Sequence, residues 1–357
     1  MIAHHVGLSL GRVEHWHDGL GEYGRRLVGE LAARSAELRQ RHGIELHVHL
    51  PARWHGMFGD GVHYLASHTT QRFVHLRMTR FALWHRLHQH IRLRPPPGTE
   101  RRVETVHDLN FLYTKQGAKR ERYRQRLRAR LRGCARVVVI SQHVRDELLR
   151  ELDEPEMPVQ VIHNGATDLS TLPRKPVVLD GRASGPFLLH VSRMAPSKNV
   201  DALLALAAAW PEQRIVLAGS SSPYTSHVRE QVARRSLANV TLVLDIDDEQ
   251  KAWLYANCGG FLFPSITEGF GLPPLEAMHF GKPVFLSRLT SLPEVGGDAA
   301  NYFADFEPKA MRGAIEEGLQ RHQQFAMAHG VAAHARTFTW ARCADQHVAL
   351  YLSLLAR

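Results

Sequence analysis

Short apolar runs alternate with amphipathic helical stretches along nearly the whole chain, and this alternation admits few folds. In the first half, residues 44–50, 103–107, 136–141 and 159–163 read as buried strands, with helical patterns between several of them. In the second half, strands at 187–191, 214–218, 241–244 and 260–263 alternate with helices at 200–210, 225–236 and 248–257. Strands separated by helices pair through crossovers, so the expected class is α/β with mainly parallel sheets. Residues 169–186 interrupt the pattern with Pro173, Pro176, Gly181, Gly185 and Pro186 among polar residues, which reads as a linker. The 357 residues suffice for two domains of roughly 150 residues each. The expected organisation is a first domain over 1–168, the linker, a second domain over 187–338 and a terminal segment over 339–357. That segment carries a helix at 340–355, with Val348, Tyr351, Leu352 and Leu355 on one side, able to pack on either domain.

Three cysteines, Cys134, Cys258 and Cys343, are far apart and odd in number. They support neither a disulfide framework nor a Cys-based zinc site and fit a reducing cytosol. The first ten residues carry His4 and His5 where a secretory signal would be apolar, and the longest apolar run, 202–210, is far short of a bilayer span. The expectation is a cytoplasmic protein.

The formal charge of +10 is lopsided: 27 of the 45 basic but only 18 of the 35 acidic residues precede residue 171, as do 17 of the 24 histidines. Two segments concentrate it. Residues 71–94 place Phe73, Leu76, Trp84, Leu87 and Ile91 at near-helical spacing among six arginines, the pattern of a basic amphipathic helix. Residues 119–132 hold eight basic residues against Glu121 alone, with Tyr123, Leu127 and Leu131 forming a stripe. Either could lie on an anionic lipid surface or pack its stripe on the core with its arginines solvated. A polyanion partner is the other electrostatic reading, although no RNP-like motif, zinc-finger spacing or recognition helix supports nucleic acid.

Gly19-Leu20-Gly21-Glu22-Tyr23-Gly24 matches the dinucleotide fingerprint, and a helix is expected from about 23 to 36. About ten residues separate its first glycine from the strand at 2–8, and the following strand does not end in an acid. The motif reads better as a glycine loop, Gly21 included, whose amides and helix dipole face an anionic ligand.

The most informative stretch runs from Phe263 through Glu268-Gly269-Phe270-Gly271-Leu272-Pro273-Pro274-Leu275-Glu276 to Met278. An apolar strand ends, a glycine-bearing loop follows, and prolines sit where a helix begins, so backbone N–H groups gather at a positive helix end. This is an anion cradle at the carboxyl end of a strand, where open α/β sheets bind ligands. Glu268 before the loop and Glu276, expected in the first helical turn, flank it. Two carboxylates that accept from hydroxyls, beside an anion site, suit a ligand with both sugar and phosphate parts.

Together these residues closely resemble the Glu–seven residues–Glu signature of retaining glycosyltransferases of family four, which have the GT-B fold of two Rossmann-like domains facing a central cleft. The segment 191–200 is similar to the family segment that supplies an arginine and a lysine to the donor diphosphate, roles that fall on Arg193 and Lys198. Val106-His107-Asp108-Leu109 resembles the family's His-Asp turn, whose histidine lies near the transferred sugar. Residues 161–165 match the segment closing the first domain and read as a hinge, with His163 in place of the usual proline. Residues 280–284 and 291–300 also resemble family segments, and Ser291 with Glu294 reads as a capping box opening a helix. The chain departs from the family at Asp245-Ile246-Asp247, where a Gly-aromatic pair is frequent.

The resemblance implies retaining transfer of a hexose, mannose from GDP-mannose foremost, from a nucleotide-diphosphate sugar to a glycan or lipid-linked glycan in lipopolysaccharide or polysaccharide biosynthesis. UDP-, dTDP- and ADP-linked donors stay open. Arg193, Lys198 and the amides of Gly269, Phe270, Gly271 and Leu272 would stabilise the leaving diphosphate, so no metal or other cofactor is required. Glu276 would hold ribose hydroxyls, Glu268 sugar hydroxyls, and His107 the sugar and acceptor. A nucleotide-sugar epimerase or polymer synthase on the same fold, and a polyanion-binding protein of a different class, are the alternatives.

Overall fold

Strands that are apolar along their whole length must be covered on both faces, and the chain meets this demand twice. The computed structural model describes residues 3–16, 19–75, 79–154, 157–179 and 186–356. The first sheet is built from β1 (His4–Ser9), β2 (Ile44–Leu50), β3 (His63–Ala66), β4 (Leu83–Arg86), β5 (Arg101–Val106), β6 (Arg136–Val139) and β7 (Val159–Val161). They pair in parallel in the order β3-β2-β1-β4-β5-β6-β7. The second sheet holds β8 (Phe187–Val191), β9 (Arg214–Gly219), β10 (Val240–Leu244), β11 (Gly260–Phe263), β12 (Val284–Leu286) and β13 (Asn301–Tyr302). Its order is β10-β9-β8-β11-β12-β13, again all parallel. Each sheet reverses its strand order once, the doubly wound arrangement that leaves a crevice at the carboxyl ends of the two strands flanking the reversal.

The sheets belong to two compact units, Met1–Gly165 with Thr339–Arg357 and Ala166–Phe338. Residues 169–179, read from the sequence as linker, lie within the second unit: Leu169, Val177 and Leu179 are buried, and Lys175 pairs with Asp247 at 3.0 Å. The rest of that segment, apart from Pro186, lies outside the described residues.

Among its described residues, the segment 71–94 is not an amphipathic helix. It takes in the end of a short 3-10 turn, Thr69–Arg72, and then β4, a central strand of the first sheet. Its apolar residues divide accordingly: Trp84, Leu87 and Ile91 are buried, whereas Phe73 is 75% exposed; Leu76 lies outside the described residues. Polar residues masked the strand. His85 and Arg86 sit in β4 because partners meet them inside, Arg86 Nε lying 2.5 Å from the buried Glu104 carboxylate, which Arg130 reaches at 3.0 Å.

The second basic segment is a helix, Gly117–Leu131, with Leu127 and Leu131 buried and Tyr123 at the boundary. Not all its arginines are solvated: Arg120 and Arg124 pair with Glu151 and Arg130 with Glu104. Exposed Lys119, Arg122 and Arg126 remain on the outer face.

The Gly19–Gly24 run is not a loop either, because the helix Gly19–Ala33 begins at its first glycine. Gly24 faces the end of β1, where a Cβ would come within 2.3 Å of Leu10 Cδ2, so the glycine permits close helix–strand packing. Gly21 is buried in the same helix.

The helix Trp340–Leu355, opened by a hydrogen bond from the Arg342 N–H to Thr339 Oγ1 at 3.1 Å, packs in the first unit. Its buried face is Trp340, Cys343, Ala344, His347, Leu350, Tyr351 and Leu354, rotated from the stripe expected from apolarity alone. The rotation buries His347, whose Nε2 lies 3.3 Å from the Tyr23 hydroxyl. Tyr351 bonds His85 Nδ1 at 2.7 Å, and His85 Nε2 bonds Thr105 at 2.8 Å. A polar network thus fills part of this core. All three cysteines are buried and free. Among the described residues no helix is long and apolar enough to cross a membrane.

Candidate active site

In the second unit the strand order reverses at β8, between β9 and β11. Arg193 and Lys198 follow β8, and the Glu268 loop follows β11, so two segments seventy residues apart in sequence meet at the reversal. Lys198 Nζ donates to Glu268 Oε1 at 2.5 Å and lies 5.6 Å from the centre of the Phe263 ring. The Ile266 N–H bonds Ser197 O at 2.8 Å, tying the loops together along their backbones. Arg193 is exposed and, among the described residues, has no carboxylate partner. A forked and a point cation at one strand edge suit phosphate oxygens.

His190 in β8 locks the two strands. Its Nδ1–H donates to Leu262 O at 2.9 Å, which leaves Nε2 to accept from the Ser192 hydroxyl at 2.7 Å. Burial pushes this imidazole down to about 4, so it is neutral at pH 7 in the one tautomer the bonds require. Sequence reading missed it because a histidine in an apolar strand looks like any core residue.

Gly271 ends the loop at φ +113°, a conformation that favours glycine, and a Cβ there would lie 2.8 Å from Leu292 Cδ2. The helix Leu272–His279 starts directly after it. Pro273 and Pro274 lack N–H groups and so fit its first turn. They also remove two donors from the expected cradle, which must draw on the loop and on Leu272.

Glu276 is the fifth residue of that helix, a turn further in than expected, and is 4% exposed. Its Oε2 accepts from the Tyr255 hydroxyl at 2.8 Å, and Lys251 Nζ stands 4.0 Å from Oε1. Burial with a hydroxyl donor fixes the carboxylate in one orientation, which suits binding of a ligand hydroxyl.

The expected Ser291 capping box is absent. Ser291 precedes the short helix Leu292–Gly296, but its fully buried hydroxyl donates to Glu268 O at 3.1 Å and to Phe270 O at 2.7 Å. Thr290 Oγ1 in turn accepts from the Glu268 N–H at 3.1 Å. Thr290 and Ser291 therefore clamp the loop that carries Glu268, a role visible only once the loops are folded together. At the family departure, Asp245 accepts from Ser221 N–H at 2.8 Å and Oγ at 2.6 Å, while Asp247 caps the helix Asp248–Asn257 with Gln250.

In the first unit, His107 follows β5 and is 5% exposed. Its Nε2–H donates to Leu87 O at 2.8 Å, its backbone N–H to Gln89 Oε1 at 3.0 Å, and the Tyr23 ring meets it edge-on at 4.5 Å. A cavity of about 330 Å³ opens at the carboxyl ends of β1 and β4, lined by Arg12, Gly21, Arg72, His88 and Arg92 among others. Among the described residues, none of the three arginines has a carboxylate partner, and against the single acid of the lining, Glu14, they leave the cavity net cationic. Burial pushes His88 down to about 3 and leaves it a neutral wall.

Known proteins resemble the chain in sequence and in fold. Residues 178–328 match the family Glycosyl transferases group 1, and residues 28–168 match Glycosyltransferase Family 4. The O-antigen chain mannosyltransferase B of Escherichia coli is 30% identical over 274 residues, covering 72% of this chain and 71% of that protein. A GDP-mannose-dependent alpha-(1-6)-phosphatidylinositol dimannoside mannosyltransferase of Mycobacterium tuberculosis is 29% identical over 172 residues, 46% of this chain and 43% of that one. Among solved structures, a sucrose-phosphate synthase from Thermosynechococcus elongatus superposes with a TM-score of 0.71 at 20% identity, covering 99% of each chain. Two doubly wound units, the clamped Glu268 loop and these matches lead to one assignment: the chain belongs to the glycosyl transferases group 1 of family 4 and is a glycosyltransferase of the GT-B fold.

Proposed function

We propose that the protein transfers mannose from GDP-mannose, with retention of configuration and without a metal, to a lipid-linked glycan in O-antigen or related polysaccharide synthesis. The observation that carries this reading is the Lys198–Glu268 pair at the reversal of the second sheet. The mannosyltransferase relatives support the sugar and the acceptor class. Lys198, Arg193 and the loop amides, from Gly269 to Leu272, meet the charge that grows on the leaving diphosphate, a task a divalent cation performs elsewhere. Glu276 takes ribose hydroxyls and Glu268 sugar hydroxyls. His107, held by Leu87 O and Tyr23, orients the incoming acceptor. The cationic cavity of the first unit, with Gly21 in its wall, suits the acceptor's phosphate rather than the donor.

Thermal melting against GDP, UDP, dTDP, ADP and their sugars in EDTA tests the donor site. At about 100 times its dissociation constant a ligand adds roughly 2.7 kcal/mol, a rise of about 5–10 °C for a unit of this size. GDP and GDP-mannose should give that rise and Glu276→Ala should abolish it. A response to UDP alone would replace the base, and a response that needs added Mg²⁺ would overturn metal independence.

The same reading places the protein on the anionic cytoplasmic membrane surface, where a lipid-linked acceptor resides. Phe73 and Val74, 75% and 58% exposed, stand beside Arg72, and the Gly117–Leu131 helix presents Lys119, Arg122 and Arg126 outward. Each cation near such a surface contributes about 1 kcal/mol. The protein should float with anionic but not neutral liposomes, and Phe73→Ser with Arg122→Glu and Arg126→Glu should remain at the bottom of the gradient. Equal flotation with both lipids would refute the electrostatic docking.

A further inference from the structure

Parallel pairing of β1, β2 and β3 gathers histidines that no local spacing connects. Glu45 and His47 lie two residues apart on β2 and so share one face of the sheet. In register His5 of β1 is the neighbour of Glu45, and His63 of β3 is the neighbour of His47. Three imidazoles and a carboxylate therefore converge on that face, near the amino ends of the strands and away from the carboxyl ends that carry the cavity.

The distances are those of a ligand set. His5 Nδ1 lies 3.0 Å from His47 Nε2 and 3.3 Å from Glu45 Oε2. The ligand atoms of these three residues all fall within 4.8 Å of one another. His63 Nε2 lies 3.7 Å from the same Glu45 oxygen, and its ring stacks on His47 at 4.7 Å. Tetrahedral zinc with bonds of about 2.0–2.1 Å sets its ligand atoms about 3.3 Å apart. Burial grades the site from His47, 6% exposed, to the His63 side chain at 62%, so the group has a buried floor and an open entry. Phe81 forms part of that floor, its ring 5.1 Å from His47 and 6.4 Å from His5.

We propose that His5, Glu45 and His47 bind one divalent transition-metal ion, zinc by the chemistry of the donors, and that the exposed His63, which lies outside this preformed set, turns its imidazole in as the fourth ligand and so pins the short edge strand β3 and β1 to β2. Three nitrogens and one carboxylate oxygen match the borderline preference of zinc and exclude calcium and magnesium, which take oxygen ligands. The ion is a brace, independent of the transfer reaction, and the nucleotide site in the second unit supplies none of its ligands.

Cobalt(II) added to the untagged, EDTA-treated full chain tests the proposal. One equivalent should bind with the visible absorption of a four-coordinate site, be displaced by one equivalent of Zn²⁺, and raise the melting temperature. His63→Asn and Glu45→Gln alter partly exposed side chains and should fold as the wild type does, shown by far-ultraviolet circular dichroism, while weakening Co²⁺ binding at least tenfold. His68→Asn, outside the cluster, should bind as the wild type does. Absence of a stoichiometric four-coordinate spectrum, or equal affinity in the wild type and the two cluster variants, would overturn the site. The transferase rate of the metal-free protein should equal that of the loaded one, which keeps this test separate from the donor assignment.

Discussion

Lys198→Ala should lower kcat by about 10²–10³-fold, the loss typical when one preorganised donor to a developing oxyanion is removed. The ammonium is held over Phe263 and against Glu268 in a site where the Lys198 side chain is 21% and the Glu268 side chain 11% exposed. Its charge is therefore placed before the reaction begins and is only partly screened by water. Because diphosphate charge increases toward the transition state, kcat should fall further than donor affinity does. Removing the lysine also leaves the Glu268 carboxylate without its cation, beside the negative donor. The double variant Lys198→Ala with Glu268→Gln should thus bind donor better than Lys198→Ala alone. Steady-state rates and donor titration by calorimetry measure both effects. Unchanged kcat in a folded Lys198→Ala protein would remove the lysine from the mechanism.

Acidification from pH 7 to 4.5 should destabilise the protein steeply. His347, buried against Tyr23 and stacked 5.6 Å from His85, is pushed by burial down to about 4, and His190 likewise to about 4. Burial also lowers His85, with His347 and His107 adding to the effect. Each is neutral in the fold but titrates near 6.5 once unfolded. A depressed histidine contributes stability that is whole above about pH 6.5 and is lost as pH falls from there toward its folded value. A shift to about 4 amounts to about 3 kcal/mol per histidine, at roughly 1.4 kcal/mol per unit. Glu104 works in the opposite sense, since burial raises its carboxyl above the usual range, but it is one group against several. Urea melts at half-unit pH steps should show stability declining below pH 6.5 with uptake of two or more protons on unfolding. A flat profile between pH 6.5 and 5 would refute the account.

Legibility in the sequence followed how well apolarity reported burial. The strands at 44–50, 187–191 and 260–263 and the helices at 248–257 and 340–355 were read to the residue, because nearly every position in them obeys its pattern. β4 was misread because its interior holds His85 and Arg86, whose partners come from other elements. β3, β12 and β13 span four, three and two residues, too few for a period to declare itself. At the site, Arg193, Lys198, Glu268 and Glu276 stood in recognisable segments. Tyr255, Thr290 and His190 did not, because each acts through a partner remote in sequence and carries no distinguishing neighbour pattern, while Ser291 stood in one but read there as a helix cap rather than a clamp on the loop.

The chain leaves the first unit after Gly165 and re-enters it at Thr339, and those two passages are adjacent. The Ala166 N–H bonds Phe338 O at 3.0 Å, and a Cβ on Gly165 would strike the Trp340 backbone at 2.2 Å. The second unit is therefore an insertion with touching ends. On the ribosome it is complete while the first unit still lacks its closing helix, so the second unit can finish folding before the one that precedes it in the gene.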